Sequence, residues 1–152
     1  MPDSVSFPTP LADILKQFDA SAHDEDERVA LLLGYAEQFT EVPSSVASPP
    51  FDPGNRVQFC ESEAYVWAIE QPDHTLKFYF AVENPSGVSA KAMAAILDKG
   101  LSGATPAQAA QISEDIVSRV FRQNISMGKG MGLMSLVQTV RALAKSYIAE
   151  PA

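Results

Sequence analysis

The chain has a single cysteine, Cys60, in the stretch 55–67 between two apolar segments of strand character. A thiol is the one strongly nucleophilic side chain that needs no dedicated base, because part of it is already thiolate at neutral pH. One cysteine can therefore be a complete reactive site. A free cysteine is also often just a small core hydrophobe, so its neighbours decide how it reads. Gln58, Glu61, Ser62 and Glu63 are polar, which suits a turn or strand end that reaches solvent. Val57, Phe59 and Tyr65 could supply apolar shelter for the sulfur, while Glu61 and Glu63 place negative charge beside it.

The other candidate sites are weaker. Gly128-Lys129-Gly130-Met131-Gly132 precedes a helical stretch, as phosphate loops do, but has neither the P-loop spacing nor the dinucleotide fingerprint. It reads as a flexible lead-in to the last helix. His23 and His74 lie far apart with no zinc spacing. The acids Asp24 to Glu27 lack the glycine-spaced pattern of a calcium loop and read instead as a helix start. Ser62 has no histidine in its segment, so a serine nucleophile has no local support. No metal and no cofactor of the chain's own is expected.

Around Cys60 the elements follow from periodicity. Thr9-Pro10 reads as cap and first position of a helix whose apolar face is Leu11, Ile14, Leu15 and Phe18. A second helix opens at Asp24, with Val29, Leu32, Leu33 and Ala36 as its expected inner face. The proline-rich segment 42–54 can sustain neither helix nor central strand. Three strands are expected after it, over residues 56–59, 64–70 and 75–82, the last two joined by a turn at Pro72-Asp73. In the third, Leu76, Phe78, Phe80 and Val82 alternate with Lys77 and Tyr79. Ser86 is expected to cap a helix reaching Lys99 and stopped by Gly100. Thr105-Pro106 opens a short helix, and Ile116, Val117, Val120 and Phe121 mark another. Leu133, Leu136, Val137, Val140, Leu143 and Tyr147 form the stripe of the last. The fold class is α+β: a small antiparallel three-stranded sheet with helices packed on one face. The 152 residues read as one domain, with an N-terminal helix and lead-in over 1–23 and a core over 24–148.

Composition narrows the partners. Nineteen acidic residues against eleven basic ones give a net charge of −8, which disfavours nucleic acid as a partner. No apolar run approaches a membrane span, and the first residues lack the basic and apolar regions of a signal peptide. A lone cysteine fits a reducing compartment, so a cytoplasmic protein is expected.

The segment Asn-Arg-Val-x-x-Cys-x-Ser-x-Ala-Tyr, carried by Val57, Cys60, Ser62 and Tyr65 without a gap, resembles the Val-x-Gly-Cys-x-Ser-x-Val-Trp segment of the SufE family of sulfur acceptors. Residues 91–96 resemble that family's Lys-Gly-Leu-x-Ala segment, Thr105-Pro106 its Thr-Pro helix start, and residues 128–133 its Ser-Arg-x-x-Gly-Leu. The departures mark a divergent member. Phe59 stands where the family has glycine, Asn84-Pro85-Ser86 where it has a Ser-Asp pair, and Lys129 where it has arginine. Glycine takes φ > 0 freely and phenylalanine does not, which bears directly on the backbone beside the thiol.

The resemblance implies the α+β layout of SufE and IscU-like proteins and a role in iron–sulfur cluster assembly. Cys60 would take persulfide sulfur from a SufS-like, pyridoxal-phosphate-dependent cysteine desulfurase and stimulate that enzyme. The pyridoxal phosphate belongs to the partner. Ser62 and Arg56 are supporting candidates, the one for positioning the loop and the other as the nearest cation in sequence. Phe59 favours an alternative, a noncatalytic adaptor that binds the desulfurase without accepting sulfur. The oligomeric state is not legible in the sequence.

Overall fold

A computed structural model describes residues 7–60, 62–122 and 125–148. Its described elements are helices α1 (Thr9–Ala20) and α2 (Glu25–Glu37), strands β1 (Ala64–Glu70) and β2 (Leu76–Val82), and helices α3 (Val88–Leu101), α4 (Pro106–Ala109), α5 (Asp115–Phe121) and α6 (Met127–Ser146). The class is α+β, but the sheet among these residues has two strands, not three. β1 and β2 pair antiparallel, from Ala64 opposite Val82 to Glu70 opposite Leu76. Their inner faces, Ala64, Val66 and Ala68 with Leu76, Phe78, Phe80 and Val82, are buried as the alternation requires.

The expected first strand contributes only an isolated bridge between Arg56 and Tyr65. Three successive carbonyls on the outer edge of β1 are bonded by other means: Ala64 by the Val57 amide at 2.8 Å, Val66 by the Asn55 side-chain amide at 2.9 Å, and Ala68 by the Tyr147 hydroxyl at 2.6 Å. Phe59, at φ 58°, then turns the chain out of extended geometry. The ladder cannot continue past its first rung.

α3 is the central helix. It is alanine-rich and apolar nearly all round, the pattern of a buried helix, and it packs on α1, α2, α6 and β2. It begins from Gly87 without a side-chain cap and runs through Gly100 to Leu101. Ser86 therefore does not cap it. Nor does Gly100 stop it, because that residue's place is set by packing: a Cβ there would lie 2.7–2.9 Å from atoms of Leu11, one of them backbone. The expected face of α1 is buried in full, through Leu11, Ile14, Leu15 and Phe18.

α2 turns in only part of its expected face: Leu32 and Ala36 pack against the core, but Val29 and Leu33 do not. Arg28 and Tyr35 point inward while Val29 and Leu33 are 41% and 50% exposed. The Tyr35 ring lies tilted against Phe18 with centroids 5.9 Å apart, and its hydroxyl donates to Gln17 Oε1 at 2.8 Å. An aromatic body with a bonded polar tip outcompetes the smaller aliphatics for the interior.

Asp19 on α1 meets Arg119 on α5 through both carboxylate oxygens, at 3.4 and 2.6 Å. The guanidinium holds the Asp19 carboxyl below its ordinary value of 3.8. A carboxylate lowered in the folded state stabilises fully above its unfolded pKa, and loses that effect as pH falls through its folded one. With both side chains more than two-fifths exposed, at 44% and 43%, Asp19→Asn should cost no more than about 1 kcal/mol at neutral pH. In urea unfolding series the gap between the two proteins should close below pH 3.8. A gap that persists in acid would assign it to something other than this pair.

Candidate functional site

Cys60 sits on a short loop between the Val57 contact and β1, and the residue is 8% exposed. The Cys60 carbonyl accepts from the Glu63 amide at 3.1 Å, closing a turn. The carbonyls of Ser62 and Glu63 accept from the amides of Asn84 and Glu83, each at 3.1 Å, which ties the loop to the end of β2. The turn is bounded by Phe59 and Glu63, both left-handed at φ 58° and 54°. Phenylalanine thus adopts the conformation that glycine adopts without strain. Glu61 lies outside the described residues.

Two cavities meet at the thiol. A wide one of about 720 Å³ is lined by Arg56, Val57, Gln58, Phe59, Gly128 and Met131, among others. A narrower one of about 230 Å³ is lined by Ser62, Asn84, Ser86, Ser89, Lys129 and Leu133, with the glycines between them. The structure therefore brings both Arg56 and Ser62 to the cysteine, each through a different cavity. It adds Lys129, which stands where the family has arginine. The narrow cavity is bordered by the first turns of both α3 and α6, where helix amides without an intrahelical acceptor collect and negative charge is favoured.

The glycine-rich segment before the last helix proves to be its first turns. Ser126 caps α6 by accepting from the Lys129 amide at 3.2 Å, and residues 127–132 are helical. Gly132 faces the cysteine loop directly: a Cβ there would lie 3.0 Å from the Phe59 carbonyl oxygen and 3.2 Å from Cys60 Cα. Of the residues expected to shelter the sulfur, Val57 is fully buried, whereas Phe59 is 72% exposed at the mouth of the wide cavity. Tyr65 turns to the other face of β1, where it clusters with Phe51 and Trp67. Its hydroxyl is pushed up by burial, and by Glu83 beside it. Asn84, Ser86 and Ser89 were not legible as cavity residues; the one signal, for Asn84 and Ser86, was their departure from a family pattern, and Ser89 gave none.

The family model described as SufE, Fe-S metabolism associated domain, matches residues 12–144. The chain belongs to the SufE family. That membership assigns it to iron–sulfur metabolism. The fold of this SufE-family chain is also similar to a solution structure of a hypothetical protein from Thermus thermophilus. The TM-score is 0.72 at 21% identity, over 93% of this chain and 98% of that one. No curated protein matches the chain. Among the described residues, no helix of this SufE-family protein is long and apolar enough to cross a membrane.

The left-handed Phe59 carries a measurable consequence. Its side chain buries little, so Phe59→Gly removes about 1 kcal/mol of backbone strain at small cost in packing, offset in part by the greater chain entropy of glycine. The urea midpoint of Phe59→Gly should equal or exceed that of the wild type. A clear drop would show that the phenylalanine ring contributes contacts despite its exposure.

Proposed function

We propose that this protein is a sulfur acceptor that takes persulfide sulfur from a cysteine desulfurase onto Cys60 and stimulates that enzyme. The observation that carries the reading is the seating of the only thiol, nearly buried, at the junction of two cavities and beside two helix N-termini. Cys60 Sγ, as thiolate, attacks the outer sulfur of the donor's persulfide. The donor's sulfur–sulfur bond breaks, the donor cysteine leaves as thiolate, and the new sulfur–sulfur bond is on Cys60. No oxidant is needed, because one sulfur–sulfur bond replaces another. The pyridoxal phosphate that first releases sulfur from free cysteine belongs to the SufS-like partner.

Supporting roles fall to side chains on both sides. Arg56 lines the wide cavity and Ser62 the narrow one, where Lys129 adds positive charge. Met127, Met131 and Met134, at 84%, 47% and 37% exposure, repeat at helical spacing along α6, and Met131 lines the wide cavity. Methionine surfaces adapt readily to a partner, and this row supports docking there. The work belongs in a reducing compartment, the cytoplasm, where a lone thiol persists.

The left-handed φ at Phe59, the conformation open to glycine in that place, supports the acceptor reading over the adaptor. The test is mass spectrometry of the protein after incubation with a SufS-like desulfurase and cysteine. One added sulfur atom on the Cys60 peptide is expected. Faster desulfurase turnover with an unmodified peptide would establish the adaptor instead.

A further inference from the structure

The Cys60 loop is pressed between two helices at two glycines. On α6, the atoms nearest a Cβ at position 132 belong to the loop's own backbone, Phe59 O at 3.0 Å and Cys60 Cα at 3.2 Å. Backbone cannot rotate aside as a side-chain end can. On the other flank, a Cβ at Gly87 would lie 3.0 Å from Ser62 Cβ and Oγ and 2.8 Å from Val82 Cγ1. Gly130, earlier on the same helix, meets only Ile125 Cγ2 at 3.9 Å, an ordinary contact.

α6 is not free to yield. Its far end is held by the Tyr147 bond to the Ala68 carbonyl and by Arg141, which bonds Glu114 and the Ile112 carbonyl. Its inner face, from Leu133 to Ala144, is buried in the core. The loop is the softer partner, joined to the fold through two left-handed residues and a few backbone bonds.

We infer that Gly132 is a positioning residue that sets the depth of the Cys60 thiol, with Gly87 bracing the same loop from the opposite side. This deepens the sulfur-acceptor reading and rests on it for its functional meaning. A Cβ at 132 lifts the loop by a few tenths of an ångström. The lifted thiol is more open to small reagents and out of register for a sulfur delivered by a protein donor.

The experiment compares Gly132→Ala, Gly87→Ala and Gly130→Ala with the wild type. Alkylation of Cys60 by iodoacetamide should be about fivefold faster in Gly132→Ala, equivalent to about 1 kcal/mol in the balance between seated and lifted loop. Gly87→Ala should accelerate it as well, and Gly130→Ala should leave it unchanged. The faster rates should be independent of urea below the unfolding transition, the mark of a local displacement rather than of global instability. A wild-type rate in Gly132→Ala, or an acceleration that grows with urea in step with unfolding, overturns the inference. No desulfurase is present in that measurement, so it stands apart from the acceptor reading. With desulfurase and cysteine added, Gly132→Ala should show a lower maximal rate of persulfide formation at an unchanged half-saturating concentration. Unchanged loading overturns the positioning role, whereas a wild-type protein that never gains sulfur overturns the acceptor reading alone.

Discussion

Cys60→Ser is expected to abolish sulfur acceptance completely while leaving the fold and the association with a desulfurase nearly unchanged. Serine is close in size to cysteine, but its hydroxyl is a poor nucleophile without an adjacent base. The residues lining both cavities include no histidine to act as one. The cost of placing a hydroxyl in this 8% exposed site is about 1 kcal/mol, small against a domain's whole stability. In an assay with desulfurase and cysteine but no reductant able to remove sulfur, wild-type protein should raise turnover until its thiol is filled. The serine variant should give no rise, and should compete with the wild type for the enzyme. If the variant stimulates turnover as fully as the wild type, the thiol is not the acceptor and the protein acts by binding alone.

The largest stability effect is expected at Phe18. Its side chain is fully buried on α1, with its ring against Tyr35. Phe18→Ala should lower the unfolding free energy by about 3–5 kcal/mol, the transfer loss of the ring plus the cavity left behind. That is a large share of the roughly 5–15 kcal/mol available to a domain of this kind. Urea unfolding at neutral pH measures it. A loss below about 1 kcal/mol would mean that α1 is a loosely attached lead-in, since exposed or collapsible sites respond that weakly.

Where one physical rule governs a segment, the sequence was readable. β1 spans the expected 64–70, and the buried face of β2 is the one its alternation marks, because strand side chains must alternate. Leu133, Leu136, Val137 and Val140 are all buried along α6. The reading failed where two rules compete. α2 carries apolar residues on more than one side, and the inward face was decided by the Tyr35 hydroxyl finding Gln17, a partner on another helix. The expected strand at 56–59 failed because Asn55 and Tyr147 take the carbonyls it would have used, and neither can be foreseen from local pattern. Gly128 to Gly132 looked like a flexible lead-in because glycine disfavours helices. Close approach of the Cys60 loop is a tertiary demand that outweighs that preference at Gly132. Cys60 itself was legible from its chemistry, whereas its cavity partners Asn84, Ser86 and Ser89 come from a distant junction.

The bonded outer carbonyls of β1 bear on how the protein behaves when crowded. A two-stranded sheet is nearly all edge, and an open edge is a template for strands of other molecules, the first step of aggregation. Here an arriving strand would find Ala64, Val66 and Ala68 already bonded, by a backbone amide, a side-chain amide and a phenol. It would have to break those bonds, and pull the end of α6 from its anchor, before making a ladder of its own. The bonds that shorten this sheet thereby also guard its β1 edge against pairing with another copy of the chain.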